Sequence, residues 1–190
     1  MLSYLLFLQK LNVFFLLKTL PRCILTVHFK MSEIHIEIKP DSLLFCLAFL
    51  KKCSFLQFTC LNDLVVVDNV IQSNRFFLHY LLFSLKYNAR IFLSVHIKPF
   101  FFLPSAENLF AGSAWLEREA WDLFGIFFYN NSNLRRILTD YGFKGHPLRK
   151  NFPLTGFFEI YYSDIDRRIK QVPVQVTEDR HRIKFNFFWK

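Results

Sequence analysis

The chain has 190 residues, a formal net charge of +9 and a hydrophobic share of 53%. This length corresponds to one domain, or to one domain with an arm, and folding at this size buries about 70% of the unfolded surface. The hydrophobic share excludes an intrinsically disordered protein. The positive charge indicates an acidic partner, which could be nucleic acid, an anionic membrane surface or another protein.

The N-terminal region is apolar, but Gln9, Lys10, Asn12 and Lys18 interrupt it. No uninterrupted apolar run reaches the ~18–20 residues that cross a bilayer, so the sequence predicts no membrane span. It also predicts neither a secretory signal nor a mitochondrial presequence. The first interpretation of this segment is an amphipathic helix packed on the domain. The alternative is a helix that lies on a membrane surface.

The first half of the chain has the pattern of a sheet with a packed helix. Residues 24–38 alternate between apolar and polar side chains, which predicts a half-buried strand. Asp41 is predicted to cap a helix over 42–52. Further strands are predicted at 54–60, 64–67, 75–86 and 90–98, and a short hairpin turn joins the last two.

The second half begins with a helix and ends in extended pieces. Ser113 is predicted to cap a helix over 114–124, and Gly125 to end it in the left-handed conformation. A turn-rich region follows. The short, charged pieces of 154–190 are typical of an arm that does not pack on itself and lies along another protein. We therefore expect an α+β domain over 1–153, with a mixed or antiparallel sheet and packed helices, followed by an extended arm.

No pattern for a cofactor or metal is present. The four cysteines, Cys23, Cys46, Cys53 and Cys60, form no CxxC pair, which favours packed, reduced thiols. There is no phosphate-binding glycine loop, dinucleotide motif or HExxH. His146 has no second His or Cys at ligand spacing. The sequence therefore predicts that this chain binds no metal, flavin or iron–sulfur cluster.

Glu117 is the carboxylate with the most unusual predicted position. At 100° per residue it lies at the edge of the apolar helix face, beside Trp121 and Phe124. A carboxylate there must be paired or neutral. It could be a general acid of raised pKa or half of a buried ion pair, and no Ser, Cys or His completes a catalytic set. The ion pair is the preferred interpretation, and its candidate cations are Arg135, Arg136 and Arg149.

Two other predictions concern charged residues of the same helix. Arg118 and Asp122 are four residues apart, so they are predicted to pair. Glu119 points away from Glu117, so these two glutamates cannot act together as an acid and a base.

The segment Gly142-Phe-Lys-Gly145 has the GxxG pattern of loops that clamp RNA phosphates. Those loops join two helices, whereas the surroundings here have the pattern of turns. An organellar ribosomal or RNA-binding protein is therefore kept as an alternative, and a peripheral membrane protein anchored by its N-terminal helix is another.

The motifs after residue 116 resemble a known family. Residues 117–126, EREAWDLFGI, residues 134–150, LRRILTDYGFKGHPLRK, and residues 152–154, FPL, closely resemble the NADH dehydrogenase subunit 9 family of respiratory complex I. Asn131 stands where that family usually has His or Lys, and Asn151 stands where Asp is usual.

The resemblance implies a core structural subunit of the hydrophilic arm of proton-translocating NADH:ubiquinone oxidoreductase, on the matrix side of the mitochondrial inner membrane. Such a subunit has an α+β domain with an extended arm and no cofactor. NADH, FMN, iron–sulfur clusters and ubiquinone belong to other subunits of the complex. The implied partners are the quinone-site subunit and neighbouring iron–sulfur subunits, and not nucleic acid.

Within these motifs we expect structural or interface roles, and no catalytic, cofactor-binding or metal-binding ones. The residues concerned are Glu117, Arg118, Glu119, Asp122, Arg135, Arg136, Asp140, Gly145, His146, Pro147, Arg149 and Lys150.

Overall fold

The computed structural model describes residues 14–30 and 33–174. The chain divides into two compact units between Lys150 and Asn151. Most of the predicted N-terminal helix falls on residues 1–13, outside the described residues, and so does the end of the predicted arm, 175–190. Within the described part of the chain, no helix combines the length and apolar character that crossing a membrane requires.

The first unit is built on a five-stranded mixed sheet. Its strands are β1 (Ile24–Lys30), β2 (Glu33–Ile38), β3 (Cys60–Asp68), β4 (Phe76–Ser84) and β5 (Ala89–Ile97). Their order across the sheet is β1-β2-β5-β4-β3. The β2–β5 pair is parallel and the other pairs are antiparallel. Because helices pack on this sheet, the predicted α+β class is confirmed.

The helices and short strands complete the two units. Residues 14–19 are helical. A 3₁₀ turn (Pro40–Ser42) leads into helix α1 (Leu43–Lys52), and helix α2 spans Ser113–Phe124. Strands β6 (Leu103–Pro104) and β7 (Phe128–Tyr129) form a short parallel ladder. In the second unit, β8 (Phe158–Ser163) and β9 (Arg168–Pro173) form an antiparallel hairpin.

The core lies on one face of the large sheet. Alternate strand residues, including Ile36, Leu78, Tyr80 and Leu93, are fully buried there, with Leu47 of α1 among them. Burying such a side chain stabilises the fold by about 1.5–3 kcal/mol. Helix α2 lies along β3. The opposite face of the sheet carries the other half of each alternating pattern.

Two strand predictions were wrong. The single strand expected over 24–38 is two antiparallel strands, β1 and β2. The sequence did not reveal the turn between them for two reasons. No Gly, Pro, Asn or Asp lies between the two strands, and a reversal of the chain direction leaves the alternation of apolar and polar side chains unchanged. Residues 54–59 form turns and coil instead of a strand. The side chains of Leu56 and Phe58 in this segment are nevertheless buried, and Gln57 between them has a positive φ of 45°.

The predicted helix boundaries agree with the structure, but the predicted caps do not. The N-cap of α1 is Ser42, without a side-chain hydrogen bond, and Asp41 lies in the 3₁₀ turn. Ser113 is the first residue of α2 instead of its cap, and its buried hydroxyl has no hydrogen-bond partner. The left-handed end at Gly125 is confirmed, with a φ of 72°.

Candidate functional site: buried carboxylates that fix a surface loop

The chain that follows α2, residues 126–150, is here called the α2 loop. Apart from the two residues of β7 it has no regular secondary structure. Three buried carboxylates hold it through hydrogen bonds: Glu117 and Asp122 on α2, and Asp68 at the end of β3.

Glu117 joins the helix to the chain on both sides of it. Its side chain is fully buried, at 0% exposure. The Ser105 hydroxyl donates to its Oε2 at 2.6 Å, the Ala106 backbone N–H to its Oε1 at 2.7 Å, and the Asn131 amide to Oε2 at 2.9 Å. The β6–β7 ladder brings these donors together, because it aligns the segment before α2 with the segment after it. Glu117 therefore connects three separate parts of the chain.

The predicted burial of Glu117 is confirmed, but its predicted arginine partner is wrong. None of Arg135, Arg136 and Arg149 forms an ion pair with it: Arg136 pairs with Asp122, and Arg149 binds backbone carbonyls. Three uncharged donors take the carboxylate oxygens instead. Residue spacing on α2 could not reveal them, since the ladder that supplies them joins residues far apart in sequence.

Asp122 is the centre of a second, denser group of hydrogen bonds. Its Oδ2 accepts the backbone N–H groups of Ile137, Leu138 and Thr139 at 3.1, 2.8 and 2.9 Å. Its Oδ1 accepts the Thr139 hydroxyl at 2.6 Å and Arg136 Nη1 at 2.8 Å. Burial raises the pKa of Asp122, but these hydrogen bonds outweigh it and hold the pKa well below its usual range.

The predicted pair between Arg118 and Asp122 is therefore wrong. Asp122 pairs with Arg136 from the α2 loop, and the backbone donors of that loop occupy the remaining positions around its carboxylate. The Arg118 guanidinium instead lies over the Trp115 ring, 4.7 Å from its centre, and donates to the Arg135 carbonyl. Glu119 is exposed, which agrees with the predicted direction away from Glu117.

The α2 loop also caps the C-terminal end of α2. His146 Nδ1 lies 3.0 Å from the carbonyl of residue 122, so this nitrogen carries the donated hydrogen. The Leu148 N–H donates to the carbonyl of residue 123, and Arg149 donates to those of residues 124 and 125. Helix ends leave such carbonyls unpaired, and a cation there also interacts favourably with the helix dipole.

Gly125 permits this close approach. Its φ of 72° disfavours any residue with a side chain. A Cβ atom at this position would lie 2.5 Å from His146 Nε2 and even closer to Arg149 Nη2. The capping contacts of the α2 loop therefore require glycine here.

Asp68 ties the far end of the loop to the sheet. Arg75 donates to both carboxylate oxygens at 2.6 Å, and the Lys150 backbone N–H donates to Oδ2 at 2.8 Å. The hydrogen bond from Arg75 is the main cause that lowers the pKa of Asp68. The Arg75 and Arg149 guanidinium groups both lie over the Phe76 ring, at 5.3 and 5.5 Å from its centre.

The outer surface of the α2 loop is apolar and basic. Its exposed side chains include Leu138, Tyr141 and Leu148, together with Arg135, Lys144 and Lys150. Of the other predicted site residues, Asp140 is exposed, Gly145 accepts a hydrogen bond from Arg136 at 2.9 Å, and Pro147 is half-buried. The buried carboxylates thus fix the backbone that carries this apolar and basic surface.

Sequence reasoning missed Asp68, Arg75, Ser105 and Thr139. Arg75 and Asp68 flank the β3–β4 turn, so their opposite charges at the base of a hairpin could have predicted that they pair. No feature of the sequence distinguishes Ser105 or Thr139, because a hydroxyl in a turn is common. In the described ranges, no three His, Cys, Asp or Glu side chains are grouped to hold a metal ion. The Gly142–Gly145 segment joins no helices.

The fold and the site define a class of protein in which the charged residues of the motif brace the protein's own backbone. The family described as "Respiratory-chain NADH dehydrogenase, 30 Kd subunit" matches residues 36–158, and the chain belongs to this family. This confirms the resemblance that the motifs after residue 116 carry, and it makes the chain a subunit of the hydrophilic arm of respiratory complex I.

Individual relatives agree. The chain is 39% identical to NADH-ubiquinone oxidoreductase subunit 9 of Reclinomonas americana, over 92% of this chain and 86% of that protein. It is 45% identical to NADH-ubiquinone oxidoreductase subunit 9 of Acanthamoeba castellanii, over 74% and 71%. A solved structure, "Nqo5 of the trypsin-resistant fragment (1-134)", is 25% identical with a TM-score of 0.53, covering 57% of this chain and 89% of that one.

Proposed function

We propose that this chain is a non-catalytic brace of complex I that carries no redox cofactor of its own. Its α2 loop and its C-terminal arm bind neighbouring subunits, chiefly the quinone-site subunit and the iron–sulfur subunits next to it, on the matrix side of the mitochondrial inner membrane. One observation carries this proposal: the buried carboxylates of the family motif, and the half-buried arginine beside them, bind groups of the same chain. Glu117, Asp122 and Arg136 each hold segments of the fold together.

Glu117 is the strongest catalytic candidate, and its surroundings argue against catalysis. A general acid or base must come within hydrogen-bond reach of its substrate. Glu117 has no exposed surface, and its two oxygens already accept three hydrogen bonds. A substrate would have to displace Ser105 or Asn131 to reach it. The same contacts suit a residue that fixes the position of α2.

The test compares Glu117→Gln with Glu119→Gln in the assembled complex. The two glutamates lie on the same helix, but only Glu119 is exposed. A glutamine at position 117 would place an amide donor against groups that also donate, which costs about 1–3 kcal/mol. We expect E117Q to lower the amount of complex on native gels and E119Q to leave it unchanged. NADH:quinone turnover per assembled complex should stay at the wild-type value in both variants. An E117Q complex that forms fully but loses quinone reduction would refute the proposed bracing role.

The arm proposal rests on the β8–β9 hairpin. Cross-strand register places Phe158, Ile160, Tyr162 and Ile169 on one of its faces, and all four are exposed. The sequence pattern predicted extended pieces that do not pack on one another, and this is wrong, since the two strands pair. A two-stranded hairpin is nonetheless marginally stable alone in water, so its apolar face favours binding to a partner.

Deletion of residues 154–190 tests the arm. We expect the shortened chain to keep the fold of residues 24–153, measured by its urea midpoint, and to lose incorporation into the complex. A cysteine at Ile165, which is 96% exposed in the hairpin turn, should crosslink to the quinone-site subunit in the purified complex. Normal assembly of the shortened chain would contradict the arm proposal, and its unfolding would contradict the independence of the domain.

A further inference from the structure

The large sheet has one face outside the core, here called the open face. It is centred on His35, Val65, His79, Leu81 and Phe92, which come from β2, β3, β4 and β5. Strand register brings these residues together: His35 lies beside Phe92, Phe92 beside Leu81, and His79 beside Val65. The exposed face of a sheet is ordinarily polar. The centre of this face is instead apolar and aromatic, and Val65 is 47% exposed.

These five residues line a depression of about 240 Å³ in the open face. Two of its sides are held in place before any partner arrives. The His35 ring is stacked on Phe92, with ring centres 4.5 Å apart and planes at 10°. His79 Nδ1 lies 2.8 Å from the Ser94 hydroxyl. A depression with fixed sides loses little conformational entropy when it is filled, which favours binding.

Carboxylates lie along two edges of the depression. Glu33 and Glu37 flank His35 on β2, on the same face of the strand. Glu37 accepts a hydrogen bond from the Thr26 hydroxyl at 2.8 Å, and its Oε1 lies 3.1 Å from His96 Nδ1. On the other side, Asp63 is paired in register with Leu81. In a chain with a net charge of +9, an apolar depression edged by carboxylates is suited to a partner of the opposite charge.

We propose that the open face binds an amphipathic helix of a neighbouring subunit. The helix places one large apolar side chain in the depression and a lysine or arginine beside Glu33 and Glu37. A helix is the favoured occupant because helices are the elements that commonly cover sheet faces. This proposal rests on the proposed function, since it requires the chain to be part of an assembly. It concerns residues other than those of the α2 loop and the hairpin.

The first experiment measures access to position 65 in the full chain and in the purified complex. Val65→Cys adds a thiol at the edge of the depression, and peptide mass spectrometry separates its N-ethylmaleimide labelling from that of the native cysteines. We expect labelling at position 65 to be at least tenfold slower in the complex than in the free chain. Equal rates would show that the open face faces solvent in the complex. A slow rate in both would show that the chain covers its own face. Either result overturns the proposal, while the chain's presence in the complex leaves the proposed function standing.

The second experiment tests the charge of the partner. Val65→Lys and Val65→Glu are long polar substitutions at the same half-exposed position, so their effects on the fold should be similar. If the partner presents a cation, V65K should lower the amount of assembled complex severalfold more than V65E. An equal loss in both variants, with equal urea midpoints for the free chains, would refute a basic partner.

Discussion

The α2 loop and the β8–β9 hairpin reverse the usual relation between regular structure and burial. The loop has almost no regular secondary structure, yet its backbone N–H groups reach buried carboxylates at residues 122 and 68. The hairpin is a regular ladder, yet only one residue of its two strands, Ser163, is buried. Stability depends on burial and on satisfied hydrogen bonds, and a ladder by itself supplies little burial. We therefore expect substitutions in the loop to change folding, and substitutions in the hairpin to change assembly.

The largest effect is expected from Asp122→Asn. The change removes the charge that pairs with Arg136 and leaves an amide where Oδ1 and Oδ2 together accept five hydrogen bonds. Removing one partner of a buried pair costs about 3–5 kcal/mol. Urea unfolding of the full chain should show this loss as a lower midpoint with an unchanged slope. Asp140→Asn, at an exposed position of the same loop, should stay within about 0.5 kcal/mol of wild type. Similar losses in both variants would contradict the special role of Asp122.

Two glycines, at 125 and 142, allow the effect of a steric clash on stability to be separated from the effect of backbone strain. Gly125 and Gly142 both have a φ of 72°, so alanine costs about 1 kcal/mol or more at either position through backbone strain. Only at Gly125 would the new Cβ meet other atoms, those of His146 and Arg149, whereas nothing lies within 4 Å of it at Gly142. We expect Gly125→Ala to destabilise the chain by about 2–4 kcal/mol and Gly142→Ala by about 1 kcal/mol. Equal losses would mean that the capping side chains move away without cost.

Local patterns predicted much of the fold and little of the site. Alternation and turn residues located β4, β5 and the hairpin turn between them, and Gly125 marked the end of α2, because each of these signals lies within a few residues. The partners of Glu117 and Asp122 come from segments 11 to 17 residues away, brought together by a ladder and a turn-rich loop. Charge and spacing on one helix cannot identify such partners. They suggested an arginine for Glu117, which instead accepts from a hydroxyl, a backbone N–H and a side-chain amide. They suggested Arg118 for Asp122, which pairs with Arg136 instead.

The pH dependence of stability should belong to the domain and not to the hairpin. Burial is the main cause that lowers the pKa of His79 in β4 and of His146 in the α2 loop. A lowered folded-state pKa means that the unfolded chain binds protons first. Stability is then complete above the unfolded value of about 6.5 and is lost as the pH falls through it.

The free energy of unfolding should therefore decrease from pH 7 to pH 5, with a slope of at most about 1.4 kcal/mol per pH unit for each histidine. Urea titrations at several pH values measure this slope. His146→Gln, which can still donate to the carbonyl of residue 122, should reduce it, and His28→Gln, at an exposed position, serves as the control. A slope that is the same in H146Q and wild type would assign the pH dependence to other groups.

The smallest effect on folding, and a large one on assembly, is expected from Ile160→Ser in the hairpin. Ile160 is 64% exposed, so its removal should change the free energy of unfolding by less than about 0.5 kcal/mol. In the proposed complex it lies on the face that binds a partner, where a buried apolar anchor costs about 1 kcal/mol or more to remove, roughly a fivefold loss of affinity. Tyr161→Ser removes a large side chain from the opposite face of the same strand and should leave assembly nearly unchanged. Incorporation of each variant into the complex, in competition with the wild-type chain, measures the difference. If I160S and Y161S are incorporated equally well, the apolar face is not the binding face, and the contrast between loop and hairpin concerns folding alone.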